Sequence, residues 1–265
     1  MTTSLATYTY WAMGAAVALQ VALFYLAWWR PQRAVLLLLG SVQSLLCLQL
    51  AGVSDFPVWV FNLSTALWLT VGGAQLFYVL FALPKGAELW RIAAIAQPCM
   101  LPFVLLAAGL AGRAEAPLLI EDSMLRLHIL SATLAYGLFT VAAVCAFVVY
   151  TRESYLKAHA TSSFVQKLPS LQIAEKGQQA ALLCGVLMLL PAVVAGVWEQ
   201  ASWLAPVWKS LVAYVLLIAA TLLVVLRQWF GLRGSTAGLL VLVLYALLIV
   251  AFLGTRVLDS LQSLS

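Results

Sequence analysis

The sequence predicts an all-α integral membrane protein, a bundle of eight transmembrane helices with both termini outside. Three observations lead there. Of 265 residues, 65% are hydrophobic and 9% charged, whereas a soluble domain carries about 45–50% apolar and about 25% charged residues. The apolar residues gather in eight runs close to the ~20 residues a helix needs to cross a hydrocarbon core of about 30 Å. Those runs are too long for the roughly ten-residue strands of a membrane barrel, so helices must satisfy the backbone.

Each run is bounded by charge, proline or glycine. Tyr8–Trp28 stops before Arg30-Pro31, and Ala34–Val53 lies between Arg33 and Asp55. Val58–Leu83 is framed by Pro57 and Pro84-Lys85, and Arg91–Gly112 ends before Arg113. Leu125–Tyr150 lies between Asp122 and Arg152, and Gln178–Trp198 between Gly177 and Glu199. Pro206–Arg227 and Gly238–Thr255 complete the set, separated by the Gly231–Gly234 turn.

Charge sets the expected orientation. Arg30, Arg33, Lys85, Arg91, Arg152, Lys157, Lys167, Lys176, Arg227 and Arg233 fall in or beside the odd connections, against Arg113, Arg126, Lys209 and Arg256 on the other side. Lys and Arg are retained in the cytoplasm, which puts the first group inside and both termini outside. No Lys or Arg precedes Arg30, so the first run lacks the basic start of a cleavable signal and is expected to stay attached. The basic residues form no stripe, which argues against nucleic acid as a partner and leaves the lipid bilayer and another membrane protein. Thr151–Gly177 is the long connection, and its mixed charges around Leu168-Pro169 predict helix extensions broken at the proline.

The interior polar residues Gln20, Gln43, Gln49, Asn62, Ser64, Gln75, Gln97 and Ser131 are neutral. They suit hydrogen bonds between helices, or a glutamine-lined pore. Almost no ionisable group lies at a helix centre, and no internal repeat is visible, which disfavours a pump or a carrier. No GxSxG, HExxH or Walker loop occurs, and Glu121 and Asp122 are adjacent on a loop, so no catalytic residue is assigned. Cys47, Cys99, Cys145 and Cys184 form no CxxC pair and read as packing residues.

Two histidines remain. His159 lies beside Lys157 in the long connection and reads as solvated. His128 stands near the outer end of the fifth run, with Ser131, Ala132 and Ala135 on its own helical face and Tyr136 one turn beyond. Small residues there leave room for a flat ligand or a close helix. Neutral imidazole at that level is a haem and metal ligand, or an interfacial histidine bonded to a loop. Trp198, Trp203 and Trp208 fall within eleven residues at the next outer connection. They read either as an aromatic stacking platform or as ordinary interfacial tryptophans.

Leu127-His128-Ile129 leading to Tyr136, Leu168-Pro169-Ser170-Leu171 with Glu175, Gly185 through Gly196-Val197-Trp198, Phe230-Gly231-Leu232-Arg233-Gly234 and Leu253-Gly254-Thr255-Arg256 follow one another in this order. Over about Leu125 to Leu261 the chain thereby resembles the cytochrome c assembly protein family, closest to its YpjD-like inner-membrane branch rather than the CcsA synthases. The resemblance implies N-terminal helices over 1–124, an assembly-like unit over 125–265 and a bacterial inner membrane. In the synthases a tryptophan-rich loop and two external histidines hold haem for attachment to apocytochrome c, and His128 matches the first histidine. The stretch from Trp198 to Lys209 is too short for the full synthase motif and lacks its aspartate, and no histidine follows Gly254.

The resemblance therefore implies binding or handling of haem at the outer leaflet by His128, Trp198, Trp203 and Trp208, without full synthase machinery. A non-enzymatic scaffold or accessory subunit that has lost haem is the alternative. Met124 lies on the same helical face as His128 and cannot be its trans partner. Met13 and Lys209 are the other candidates at the outer level.

Overall fold

Backbone groups in hydrocarbon must bond within their own segment, and in the computed structural model every apolar run contains an α-helix. Described are the backbone at residues 2–53, 58–84, 88–111, 118–159, 162–200 and 207–262, and the side chains there except within 2–7, 118, 199–200, 207–210 and 252–262. In chain order the elements are α1 (Thr2–Trp29), α2 (Arg33–Leu50), β1 (Trp59–Phe61), α3 (Leu63–Ala82), a 3-10 turn (Glu88–Ile92) and α4 (Ala93–Leu110). There follow β2 (Leu118–Ile120), α5 (Ser123–Lys157), α6 (Ser163–Lys167), α7 (Leu171–Gln200), α8 (Val207–Trp229) and α9 (Gly234–Gln262). All of these helices except the short α6 belong to the eight segments long and apolar enough to cross a membrane.

The boundaries differ from the apolar runs where local bonding outweighs hydropathy. Val58 does not begin a helix. Asn62 caps α3 instead, accepting from the Thr65 N–H at 2.9 Å while the Thr65 hydroxyl accepts the Asn62 N–H at 2.8 Å. Such a reciprocal box fixes a helix start whatever apolar residues precede it. Trp59–Phe61 is left extended, pairs antiparallel with β2 with Trp59 opposite Ile120, and donates the Trp59 indole N–H to the Ala51 carbonyl at 2.8 Å. β1 follows α2 and β2 precedes α5, so their pairing puts both connections at one end of the bundle.

The longest helix is the hub. α5 packs against α7, α3 and α9, while α1 rests on α2 and α4 and α8 lies along α7 and α9. Its 35 residues extend about 52 Å at 1.5 Å per residue, well beyond the hydrocarbon core. The excess carries Arg152, Glu153 and Lys157 past the bundle, where α6 ends at Lys167 and the chain breaks at Leu168-Pro169, as the proline predicts. There Glu175 Oε1 accepts the Gly234 N–H at 2.8 Å and Glu153 accepts the Ser235 N–H. Two carboxylates thus meet the positive end of α9, a favourable arrangement for a helix dipole.

The neutral polar residues mostly bind helices together. Gln20 Nε2 donates to both the carbonyl and the side-chain oxygen of Gln97 at 3.0 Å, and Gln97 Nε2 donates to Gln75 Oε1 at 3.3 Å. Gln43 donates to the Ala16 carbonyl at 3.2 Å and Ser64 to the Ala107 carbonyl at 2.8 Å. Gln178, absent from the sequence-based set, does the same to Ala237 at 3.4 Å. Gln49 is exposed instead, and Asn62 is spent on its cap. The four cysteines are free thiols.

Candidate functional site

His128 lies in the second turn of α5, and the start of that helix is fixed by the chain itself. Asp122 caps it by accepting the Met124 N–H at 2.9 Å, and Arg126 reaches back to the Ile120 carbonyl at 3.4 Å. The ring projects onto α7. Its Nδ1 lies 2.6 Å from the Ala192 carbonyl oxygen. A carbonyl only accepts, so Nδ1 must carry the proton. The neutral ring then keeps its lone pair on Nε2, the form in which histidine ligates a metal.

The ring fits because α7 offers no side chain at the contact. A Cβ on Gly196 would fall 2.9 Å from both Nδ1 and Cε1 of His128. Gly196→Ala should therefore push the ring off the Ala192 carbonyl. The chain has two histidines, so nitrogen-15 histidine NMR reads this directly, with His159→Gln to assign the peaks. The wild type should show one protonated Nδ1 fixed in a single tautomer, and Gly196→Ala should show a tautomer mixture. Identical spectra would show that Gly196 does not hold the ring on the Ala192 carbonyl.

The remaining candidates fall in different places. Ser131 and Ala135 are buried, and the Ser131 hydroxyl bonds the Leu127 and His128 carbonyls of its own helix, so that face is taken up by helix packing. Trp198 lies on α7 rather than in a loop, 71% exposed. Two residues past Gly196 it points about 200° round the helix, away from the His128 contact. Trp203, and the side chains of Trp208 and Lys209, lie outside the described residues. Met13 is on α1, which rests on α2 and α4. Among the described residues no group of three or more His, Cys, Asp or Glu side chains could hold a metal ion.

A histidine that holds haem iron needs a free lone pair on one ring nitrogen and an opening toward the lipid or interface. His128 meets the first requirement through its bonded Nδ1. It meets the second by being only partly buried, next to Leu127, which is 46% exposed. The residues present thus fit one axial position. Sequence reasoning singled out His128 but not Ala192, and Gly196 stood only within a resembling segment, with nothing to say that it faces the ring.

Comparison with known proteins points one way. The model of a family described as Cytochrome C assembly protein matches residues 36–262, from α2 into α9. A protein of Azospirillum brasilense described as "Uncharacterized 28.8 kDa protein in nifR3-like 5'region" is 29% identical over 209 residues, covering 75% of each chain. No solved structure matches.

Proposed function

The chain belongs to the cytochrome c assembly protein family, and from that premise we propose that it binds or relays haem at the outer face of a bacterial inner membrane. His128 is the residue that would hold the haem iron in this reading. The observation that carries it is the 2.6 Å bond from His128 Nδ1 to the Ala192 carbonyl, which holds the ring in the tautomer that presents Nε2. A haem held there would supply an iron centre able to bind and release a further ligand. The protein's own part is to fix the imidazole between α5 and α7 and to keep one side of it dry. Trp198 stands at the same end of α7 but faces away from the ring, and Trp203 and Trp208 join the site in this reading on the sequence alone. A single histidine fits a carrier of the YpjD-like branch better than a synthase.

The test is an absorption spectrum of detergent-purified protein from haem-replete cells, before and after dithionite. A Soret band supports the reading, and no band with no uptake on titration defeats it. A haem-free scaffold is the second reading. What favours it is that the same His128–Ala192 bond also clasps α5 to α7 and so has a structural use without iron.

The proposal puts the His128 end outside and Thr151–Gly177 in the cytoplasm, on the asymmetry of Lys and Arg. In a cysteine-free background a cysteine at Ser162 should resist an impermeant maleimide until the cells are opened. Labelling of intact cells at that position would reverse the topology.

A further inference from the structure

At the opposite end from His128 the bundle leaves a cleft of about 290 Å³ between the end of α1, the start of α2 and α4, and α6. That is at the small end of ligand-sized cavities. Its floor is apolar and buried, formed by Ala27, Leu36 and Ala93. Trp90, Arg91 and Lys167 line it as well. The two cations are held by different means. Lys167 Nζ donates to the Trp28 carbonyl at 3.0 Å and sits 5.5 Å from the centre of the Trp28 ring. It pairs with no carboxylate among the described residues. Arg91 lies 5.6 Å from the Trp90 ring centre and pairs with half-exposed Glu88 at 3.5 Å.

Three features narrow the ligand. Two cations against one carboxylate leave a net positive rim, which asks for an anion. The stacked pair Tyr25 and Trp29, together with Trp28 and Trp90, marks the level as the membrane interface, where such rings collect. An apolar floor directly below charged groups suits a headgroup with chains attached rather than a soluble ion, which would leave that floor bare. We propose that this cleft binds the phosphate headgroup of an anionic phospholipid, between Arg91 and Lys167. Basic pockets between membrane helices recognise anionic lipids by this combination of charge and depth.

Native mass spectrometry of the full chain, titrated with a phosphatidylglycerol or a phosphatidylcholine of identical chains, tests it. One phosphatidylglycerol should be retained under conditions that strip phosphatidylcholine. Arg91→Gln and Lys167→Gln should each weaken retention about fivefold, the value of one juxtamembrane cation. Lys167→Arg should restore it, which separates charge from folding, and Lys157→Gln at the exposed end of α5 should change nothing. Millimolar inorganic phosphate should not displace the lipid. Equal retention of both lipids, unchanged retention in Arg91→Gln with Lys167→Gln, or displacement by inorganic phosphate alone would overturn the assignment.

Discussion

His128→Ala should abolish the Soret band of protein purified from haem-replete cells, or shift it strongly, while membrane insertion is retained. The expectation follows from inventory and geometry together. Among the described residues His128 is the only histidine within a membrane-crossing helix whose ring is held by another helix, since His159 lies exposed beyond the end of α5. Thiolate ligation is disfavoured because all four cysteines lie within membrane-crossing helices, where an unpaired charge is costly. Insertion should survive because alanine is easier to place in hydrocarbon than histidine. The lost hydrogen bond costs only about 0.5–1.5 kcal/mol. Added imidazole should rebind iron in the space the ring leaves and restore part of the band. Haem that binds His128→Ala with an unchanged spectrum would place the ligand elsewhere in the chain.

Gly137→Ala should destabilise the bundle by about 1–3 kcal/mol, the usual range for overpacking. A Cβ there would fall 2.8 Å from the Ala74 nitrogen, 3.1 Å from the Gly73 carbonyl carbon and 3.2 Å from the Ala74 Cα. All three are backbone atoms of α3, so no side-chain rotation relieves the clash and the two helices must separate. The intrinsic gain of alanine over glycine in a helix, about 1 kcal/mol, works in the opposite direction and is outweighed. Gly14 and Gly109 provide the control, because nothing lies within 4 Å of a Cβ at either position. Alanine at those two sites should be neutral or mildly stabilising. Unfolding in mixed detergent and dodecyl sulfate micelles would measure all three. A Gly137→Ala variant as stable as Gly14→Ala would show that α3 and α5 do not approach so closely.

Hydropathy and charge made much of this architecture legible before any coordinates. The number of membrane-crossing helices, the break at Leu168-Pro169 and the use of glutamines as links between helices all follow from local composition and the cost of unbonded polar groups in hydrocarbon. The paired strands were not legible. Trp59–Phe61 and Leu118–Ile120 are as apolar as the helices beside them, and only the Asn62 cap and the partner strand make them extended. The α9 start was half legible, since Glu175 and Gly234 stood in the resembling segments but nothing in the sequence said they touch.

The sequence by itself determined eight helices long and apolar enough to cross a membrane, and it named His128 as a candidate. Only the tertiary structure decided which nitrogen of His128 is free, that Gly196 makes room for the ring, and that Trp198 turns away from it. Hydrophobic periodicity records which face of a helix avoids water. In a bilayer nearly every face is apolar, so periodicity no longer says which helix a face will meet. That choice comes from close contacts between residues far apart in the chain, as between His128 and Ala192, where the presence or absence of a single Cβ determines what fits.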